Sequence, residues 1–70
     1  MAEVRAEMVA NVWRVVVAEG DQVSEGDTLV ILESMKMEIP VLAEDSGTLT
    51  KLHVAEGDVV QEDDLIAVID

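Results

Sequence analysis

The chain has 70 residues, of which 16 are acidic and 4 are basic, for a formal net charge of −12. Such a surface repels nucleic-acid phosphates and anionic lipid, which excludes both as partners. Residues 1–70 are predicted to form one small domain whose core is too thin to enclose a multi-residue active site. Because there is no cysteine and no apolar run long enough to span a membrane, we expect a cytoplasmic protein without disulfides. We also expect it to be a monomer on its own.

The first half of the chain predicts strands separated by tight acidic turns. A run rich in β-branched residues covers positions 12–17, and a second apolar run covers positions 29–32. Between them lie a Glu-Gly-Asp turn at 19–21 and another acidic turn at 24–27. Apolar runs of this length between Gly and Asp are typical of strands, and no window has sustained helical spacing.

The second half of the chain repeats this pattern. A shift of 37 positions places residues 4–33 on residues 41–70, with 11 identities in 30 aligned positions and no gap. Neither repeat can bury its apolar face alone, so the two should pack together about an approximate two-fold axis. The sequence therefore predicts an all-β fold, either a small sandwich or a flattened barrel.

The matched positions also predict turn geometry and the direction of side chains. Gly20 and Gly57 are equivalent, and we predict a positive φ at both. Gly26 is matched by Asp63, a residue that tolerates the left-handed region. Three pairs of matched aliphatic residues are expected to face the core, namely Val12 with Leu49, Val15 with Leu52, and Val17 with Val54.

Other side chains that could take part in binding or catalysis are better explained as ordinary surface residues. Trp13 is matched by Thr50 and should point outward, as a surface-packed aromatic or as a partner contact. His53 is the only histidine and has no evident catalytic partner. The alternating carboxylates at 19–27 do not follow a calcium-loop pattern and are interpreted as solvated turn acids. We therefore predict no catalytic residue and no metal site.

The alignment leaves unmatched the segment 34–40, which contains Lys36. A connection between two strands runs over the surface, so Lys36 is predicted to lie at an exposed tip. The two-fold axis relates positions 33 and 41, which flank the tip, to positions 70 and 4. The two ends of the chain should therefore lie near each other, on the side of the domain opposite Lys36.

The same segment carries a resemblance to a known family. Glu33-Ser34-Met35-Lys36-Met37 resembles the attachment motif of biotinyl domains in the biotin/lipoyl attachment family, and the resemblance covers essentially the whole chain. Two departures are Ser34, where many members have alanine, and the residues 8–11, where a Pro-Met-Pro-Gly-like turn is common. Further features that fit the family are Pro40, Gly47, the Gly-Asp-x-Val turns at 20–23 and 57–60, and the duplication.

The resemblance implies a single biotinyl domain over residues 1–70, folded as a flattened eight-stranded barrel-sandwich of two four-stranded sheets. Biotin would be attached covalently to Lys36, at a hairpin tip, by a biotin protein ligase. The carrier would then shuttle a carboxyl group between a biotin carboxylase and a carboxyltransferase. Methionine on both sides of Lys36 favours biotin over lipoate, because lipoyl domains usually have Asp-Lys-Ala there. A lipoyl or dual biotin/lipoyl carrier is the alternative.

The chemistry of the motif indicates a carrier and not an enzyme. The nucleophile for amide formation is a neutral amine, whereas lysine in water is cationic at neutral pH. Nothing near Lys36 in sequence looks like a base, so activation must come from the ligase. Met35 and Met37 are interpreted as recognition residues because thioethers adapt to partner surfaces, with local packing as the alternative. A non-modified interaction module is the remaining hypothesis of another class.

Overall fold

The computed structural model describes residues 2–70, which contain eight β-strands and no helix. The strands are β1 Ala2–Arg5, β2 Ala10–Val15, β3 Gln22–Val23, β4 Thr28–Ser34, β5 Met37–Leu42, β6 Gly47–Leu52, β7 Val59–Val60 and β8 Leu65–Ile69. They form two four-stranded antiparallel sheets. The predicted all-β architecture of two four-stranded sheets is therefore confirmed.

We call the sheet with order β5-β4-β2-β7 the tip sheet, because the β4–β5 hairpin carries Lys36. The sheet with order β1-β8-β6-β3 is the terminal sheet, because it holds the first and last strands. The domain is elongated, with extents of 31 × 17 × 17 Å. The domain consists of two packed layers, each of which buries one face against the other.

The two sheets have the same strand pairing after a shift of 37 residues. In the tip sheet Val12 pairs with Leu32, and in the terminal sheet Leu49 pairs with Ile69. Even the bulge that follows Val12 recurs after Leu49. The pairing of Ile39 with Leu32 corresponds to that of Ala2 with Ile69. Within the described residues the structural repeat therefore extends back to residue 2, two residues earlier than the sequence comparison indicated, and it pairs residues 2–33 with residues 39–70.

The turns between strands are built by glycine and aspartate. Gly20 and Gly57 both have a φ of 94°, which confirms the predicted left-handed conformation. In each of these turns an aspartate side chain accepts a hydrogen bond from a backbone N–H three residues earlier, Ala18 N–H to Asp21 and Ala55 N–H to Asp58, both at 2.9 Å. Aspartate bonding of this type stabilises the turn locally.

In the second pair of equivalent turns, the two repeats have different residues at the left-handed position. Gly26 has a φ of 93°, and its counterpart Asp63 has a φ of 74°. Asp63 therefore adopts the same left-handed conformation as the equivalent Gly26, as predicted, although it carries a Cβ. Asp27 and Asp64 close these turns, because each carboxylate accepts a backbone N–H at 2.8 Å, from Ser24 and Gln61 respectively.

Two glutamates join one repeat to the other. The Glu19 carboxylate accepts a hydrogen bond from Leu52 N–H at 2.9 Å, and the Glu56 carboxylate accepts one from Val15 N–H at 3.3 Å. Several turn acids are thus hydrogen-bond acceptors for the backbone. Within residues 2–70 no group of three or more His, Asp or Glu side chains is placed to hold a metal ion.

The core fills the space between the sheets. Val12 and Leu49 are fully buried, and the other predicted core residues, at 15, 17, 52 and 54, are partly buried and pack against it. The predicted inward direction of all six is therefore confirmed. The largest fully buried side chains are Val12, Leu29, Val30, Leu32, Leu49 and Ile66.

The described ends of the chain meet in the terminal sheet, where Ala2 pairs with Ile69. Strand β2 starts beside the tip and runs away from it. The turn that follows β2 reaches the terminal sheet, where Gly20 N–H donates to the Leu49 carbonyl at 2.7 Å. Leu49 is in turn the partner of Ile69. The two ends are therefore adjacent and lie at the far end of the domain from the tip, as the repeat predicted.

Candidate functional site

The β4–β5 hairpin closes with a two-residue turn formed by Met35 and Lys36. The last strand pair before the turn is Ser34 with Met37. Met35 has a φ of 53° and Lys36 has a φ of 65°. Positive φ at both central residues is the pattern of a type I′ turn, whose twist matches that of the flanking strands.

This conformation is strained for the residues that adopt it. Type I′ turns favour Asn and Gly, because an L-residue with a Cβ loses about 1 kcal/mol or more in the left-handed region. Within residues 2–70 only three non-glycine residues have a positive φ, and two of them are Met35 and Lys36. Strain of this kind concentrates at functional sites, where the surrounding structure enforces it. The turn therefore marks Lys36 independently of its motif.

The Lys36 side chain projects into solvent. It is exposed and forms no hydrogen bond or ion pair with any residue of the described chain. Met35 is 88% exposed, and Met37 is also exposed. The high exposure argues against local packing as the reason for the two methionines. A primary amine with no competing contact, at the end of a rigid hairpin, is available to the active site of another protein.

The turn also interrupts the strand alternation on either side of Lys36. If strand alternation continued through the tip, Met35 and Met37 would share a face opposite Lys36. The alternation stops at the turn, since Met35 and Lys36 are its two central residues and Met37 is the first residue of β5. Strand alternation therefore does not apply to Met35 and Lys36, and all three side chains are exposed.

Glu33 and Ser34 lie at the end of β4, half-buried beneath the tip. Glu33 pairs directly with Glu38 across the hairpin and with Asn11 on its other side. Like charges directly opposite each other destabilise an antiparallel pair. Neither carboxylate forms an ion pair or a side-chain hydrogen bond within the described residues. Glu33 opens the sequence motif and Glu38 directly follows it, but their pairing became visible only with the register.

The remaining candidates lie away from the tip. His53 is exposed, and its backbone N–H donates to the Ile66 carbonyl at 2.8 Å. Trp13 is 42% exposed, and the Arg14 guanidinium lies 5.0 Å from the centre of its ring. The Glu3 carboxylate, which accepts a hydrogen bond from Arg5, raises the pKa of that guanidinium. None of these groups approaches a second residue in a way that would form a catalytic pair.

Comparison with known proteins agrees with this geometry. A family model described as "Biotin-requiring enzyme" matches residues 2–69. A protein of Mycolicibacterium smegmatis named "Biotinylated protein TB7.3 homolog" is 75% identical over 71 residues, covering 100% of both chains. The protein of that name from Mycobacterium leprae is 66% identical over 70 residues, covering 99% of each chain.

A solved structure extends the likeness to the fold. The crystal structure of the Kluyveromyces lactis urea carboxylase superposes with a TM-score of 0.92 at 39% identity, over 99% of this chain. The matched region is 6% of that carboxylase chain, so the likeness concerns one small part of it. No helix in residues 2–70 meets the length and apolarity needed to cross a bilayer.

The prediction of biotin as the cofactor agrees with the description of the family and with the names of both relatives. The match extends from the first described strand to the last, so it includes both repeats and the tip between them. The chain belongs to the biotin/lipoyl attachment family.

Proposed function

We propose that this chain is a biotin carrier in which the Nζ atom of Lys36 forms an amide with the biotin carboxyl group. The observation that carries the proposal is the tip itself. Lys36 is exposed, has no partner within the described residues, and stands in a strained two-residue turn between Met35 and Met37. The full-length likeness to proteins named as biotinylated supports the same assignment.

The attachment step requires a second protein. A biotin protein ligase would activate the biotin carboxyl group as biotinyl-adenylate. The neutral Lys36 amine would attack the activated carbonyl carbon, AMP would leave, and the amine would release a proton. Because the tip of this chain offers no hydrogen-bonded base, the acceptor of that proton would belong to the ligase. The chain is thus a substrate and a carrier, without catalysis of its own, and we place it in the cytoplasm, where ATP is available.

The attached biotin would serve to carry a carboxyl group between two enzymes. A biotin carboxylase would load a carboxyl group onto a ring nitrogen of biotin, and a carboxyltransferase would transfer it to an acceptor. The structural likeness to a urea carboxylase supports this shuttle. The tip lies at the far end of the domain from the paired chain ends. A long side chain on such a tip can enter two active sites in turn, at a high effective concentration of biotin.

Lipoate is the second candidate, because the family includes attachment domains for both groups. The methionines on both sides of Lys36 favour biotin, since lipoyl domains usually have aspartate and alanine there. The two candidates make different predictions about which ligase modifies the chain, so a single experimental design separates them.

Co-expression with a biotin protein ligase is expected to add one biotin to the folded chain, visible in the intact mass. Lys36→Arg should abolish the adduct. Lys51 is the other lysine of the chain and is also exposed, so Lys51→Arg is the matched control and should keep the adduct. Incubation with a lipoyl ligase should leave the mass unchanged. An adduct that survives Lys36→Arg, or folded protein that is never modified, would contradict the proposal.

A further inference from the structure

The internal repeat provides a comparison within one molecule. Between residues 2–33 and 39–70, each position on the outer face of the tip sheet has an equivalent on the outer face of the terminal sheet, in the same backbone register. Only the tip sheet carries the Lys36 hairpin. Side-chain differences between the two outer faces therefore indicate what the tip sheet has acquired beyond the requirements of the fold.

The register shows which side chains point outward. Val12, Leu32 and Ile39 pair across the tip sheet and face the core. The next row, Ile31 and Pro40 with Arg14 beside them, must point the other way because side chains alternate along a strand. The apolar side chains on this outer face, which we call the apolar face, are Trp13, Ile31, Pro40, Leu42 and Val59.

The equivalent surface of the terminal sheet is mostly polar. A shift of 37 replaces Pro40 and Leu42 by Glu3 and Arg5, which form an ion pair at 2.8 Å. The counterparts of the apolar face, which we call the polar face, are Thr50, Val68, Glu3, Arg5 and Gln22 in the same order. Val68, its one aliphatic member, is only 7% exposed.

The apolar face is open to solvent. Trp13 is 42% exposed, Leu42 is 46% exposed and Val59 is 63% exposed. Trp13 occupies the bulge between Val12 and Arg14, and the Arg14 guanidinium 5.0 Å from its ring centre braces the indole. On the polar face the corresponding bulge holds Thr50, whose hydroxyl donates to the Val68 carbonyl at 3.2 Å. Tryptophan is a frequent anchor of protein interfaces.

The charge at the edge of the apolar face indicates which charge a bound protein would carry. On this outer face, the row of side chains closest to the tip runs across the four strands through Glu38, Glu33, Asn11 and Val59. Glu38 and Glu33 lie directly opposite each other in this row. Neither carboxylate has a cationic partner within the described chain. A cationic side chain on a bound protein would relieve this repulsion. The complementary surface is therefore an apolar patch bordered by positive charge, and it would lie beside the group that reacts with Lys36.

We infer that the apolar face is the docking surface for the ligase that acylates Lys36. This inference rests on the proposed function. The ligase must recognise the domain before biotin is present, so protein surface alone can supply its affinity and orientation. An enzyme that uses the finished carrier can bind the biotin itself. The apolar face lies on the same hairpin sheet as Lys36 and is separated from the turn only by the row with the unpaired carboxylates, so it fits the first requirement.

The test transfers residues of the polar face to the apolar face. Trp13→Thr and Val59→Gln introduce the residues that the repeat already accommodates at the equivalent positions. With purified ligase and unmodified domain, each is expected to lower kcat/KM for biotinylation by about tenfold, as for a moderate interface anchor. Thr50→Ala on the polar face is the matched control and should change kcat/KM less than about twofold. Thermal unfolding confirms that each variant is folded.

The outcomes separate the two proposals. If the wild-type chain accepts no biotin, the proposed function fails, and the docking proposal fails with it. If the wild-type chain is modified and either folded variant keeps its kcat/KM, the docking proposal is overturned alone. A variant that loses only carboxyl transfer with a carboxylase would also overturn it, because the face would then serve a later enzyme. Unmodified Trp13→Thr should also compete poorly with wild-type domain for the ligase.

Discussion

At the scale of single residues, the site is defined by backbone conformation as much as by side-chain identity. The turn forces Met35 and Lys36 into the left-handed region, where glycine would cause less strain. A flexible glycine tip would reduce strain but would hold the amine less firmly. The side chains that cause the strain are the ones that flank or form the point of attachment. Stability and recognition therefore place opposite demands on this turn.

Replacing Met35 by glycine is expected to show the cost of this strain to the stability of the domain. Met35→Gly should raise the free energy of unfolding by about 0.5 kcal/mol, because relief of steric strain exceeds the added entropy of the unfolded chain. Met37→Gly, in a strand, should instead lower it by about 0.5–1 kcal/mol. Urea denaturation of the unmodified domain measures both. If the two variants are equally destabilised, the turn at Met35 is not strained.

At the scale of elements, the sequence predicted the parts of the fold that rest on local chemistry. Turns built by Gly and Asp, and apolar runs on either side of them, are visible in composition and spacing. The repeat then predicted the packing of the two halves. The strands β3 and β7 contain two residues each, so they carry no periodicity that a sequence pattern could reveal.

Strand β5 illustrates a different limit of sequence analysis. The repeat left residues 34–40 unmatched, so the sequence predicted a connection there, whereas residues 37–40 belong to β5. Proline is accepted in β5 because this is an edge strand of the tip sheet, where one side of the backbone needs no sheet partner. The position of Lys36 was predictable from the motif and the repeat. The apolar face was not, because outward direction depends on register and on the bulge after Val12.

The matched aspartates of the first turns allow a test of the symmetry. Asp21→Ala and Asp58→Ala each remove a side-chain acceptor for a backbone N–H at 2.9 Å. Each substitution should lower the free energy of unfolding by about 1 kcal/mol, and the two losses should be similar. Glu44→Ala is a suitable control, since this exposed side chain forms no hydrogen bond or ion pair within residues 2–70. Clearly unequal losses would show that the repeats differ energetically.

At the scale of the whole molecule, charge is the dominant feature. The net charge of −12 is distributed over a domain of 31 × 17 × 17 Å. Screening in 0.1 M salt acts over about 10 Å, so many acidic groups repel one another at lower ionic strength. This repulsion disfavours the compact state but keeps the molecules apart in solution. A basic surface on a partner enzyme would also be attracted over long distances.

Added salt is therefore expected to stabilise the domain and to slow its encounter with the ligase. The Tm should rise between about 10 mM and 500 mM sodium chloride as repulsion is screened. Over the same range kcat/KM for biotinylation should fall, because electrostatic attraction weakens. Differential scanning calorimetry and a biotinylation assay measure the two effects. Opposite trends in the two quantities are the expected signature, and parallel trends would contradict this account of the charge.

The pairing of Ala2 with Ile69 has a consequence for how such a unit can be combined with other proteins. Entry and exit of the chain lie side by side, so the domain can be grafted into a surface loop of a host or appended to its end with little distortion of either. The reactive lysine stays remote from the splice in both arrangements. One module can therefore work alone or as a small part of a large multidomain chain.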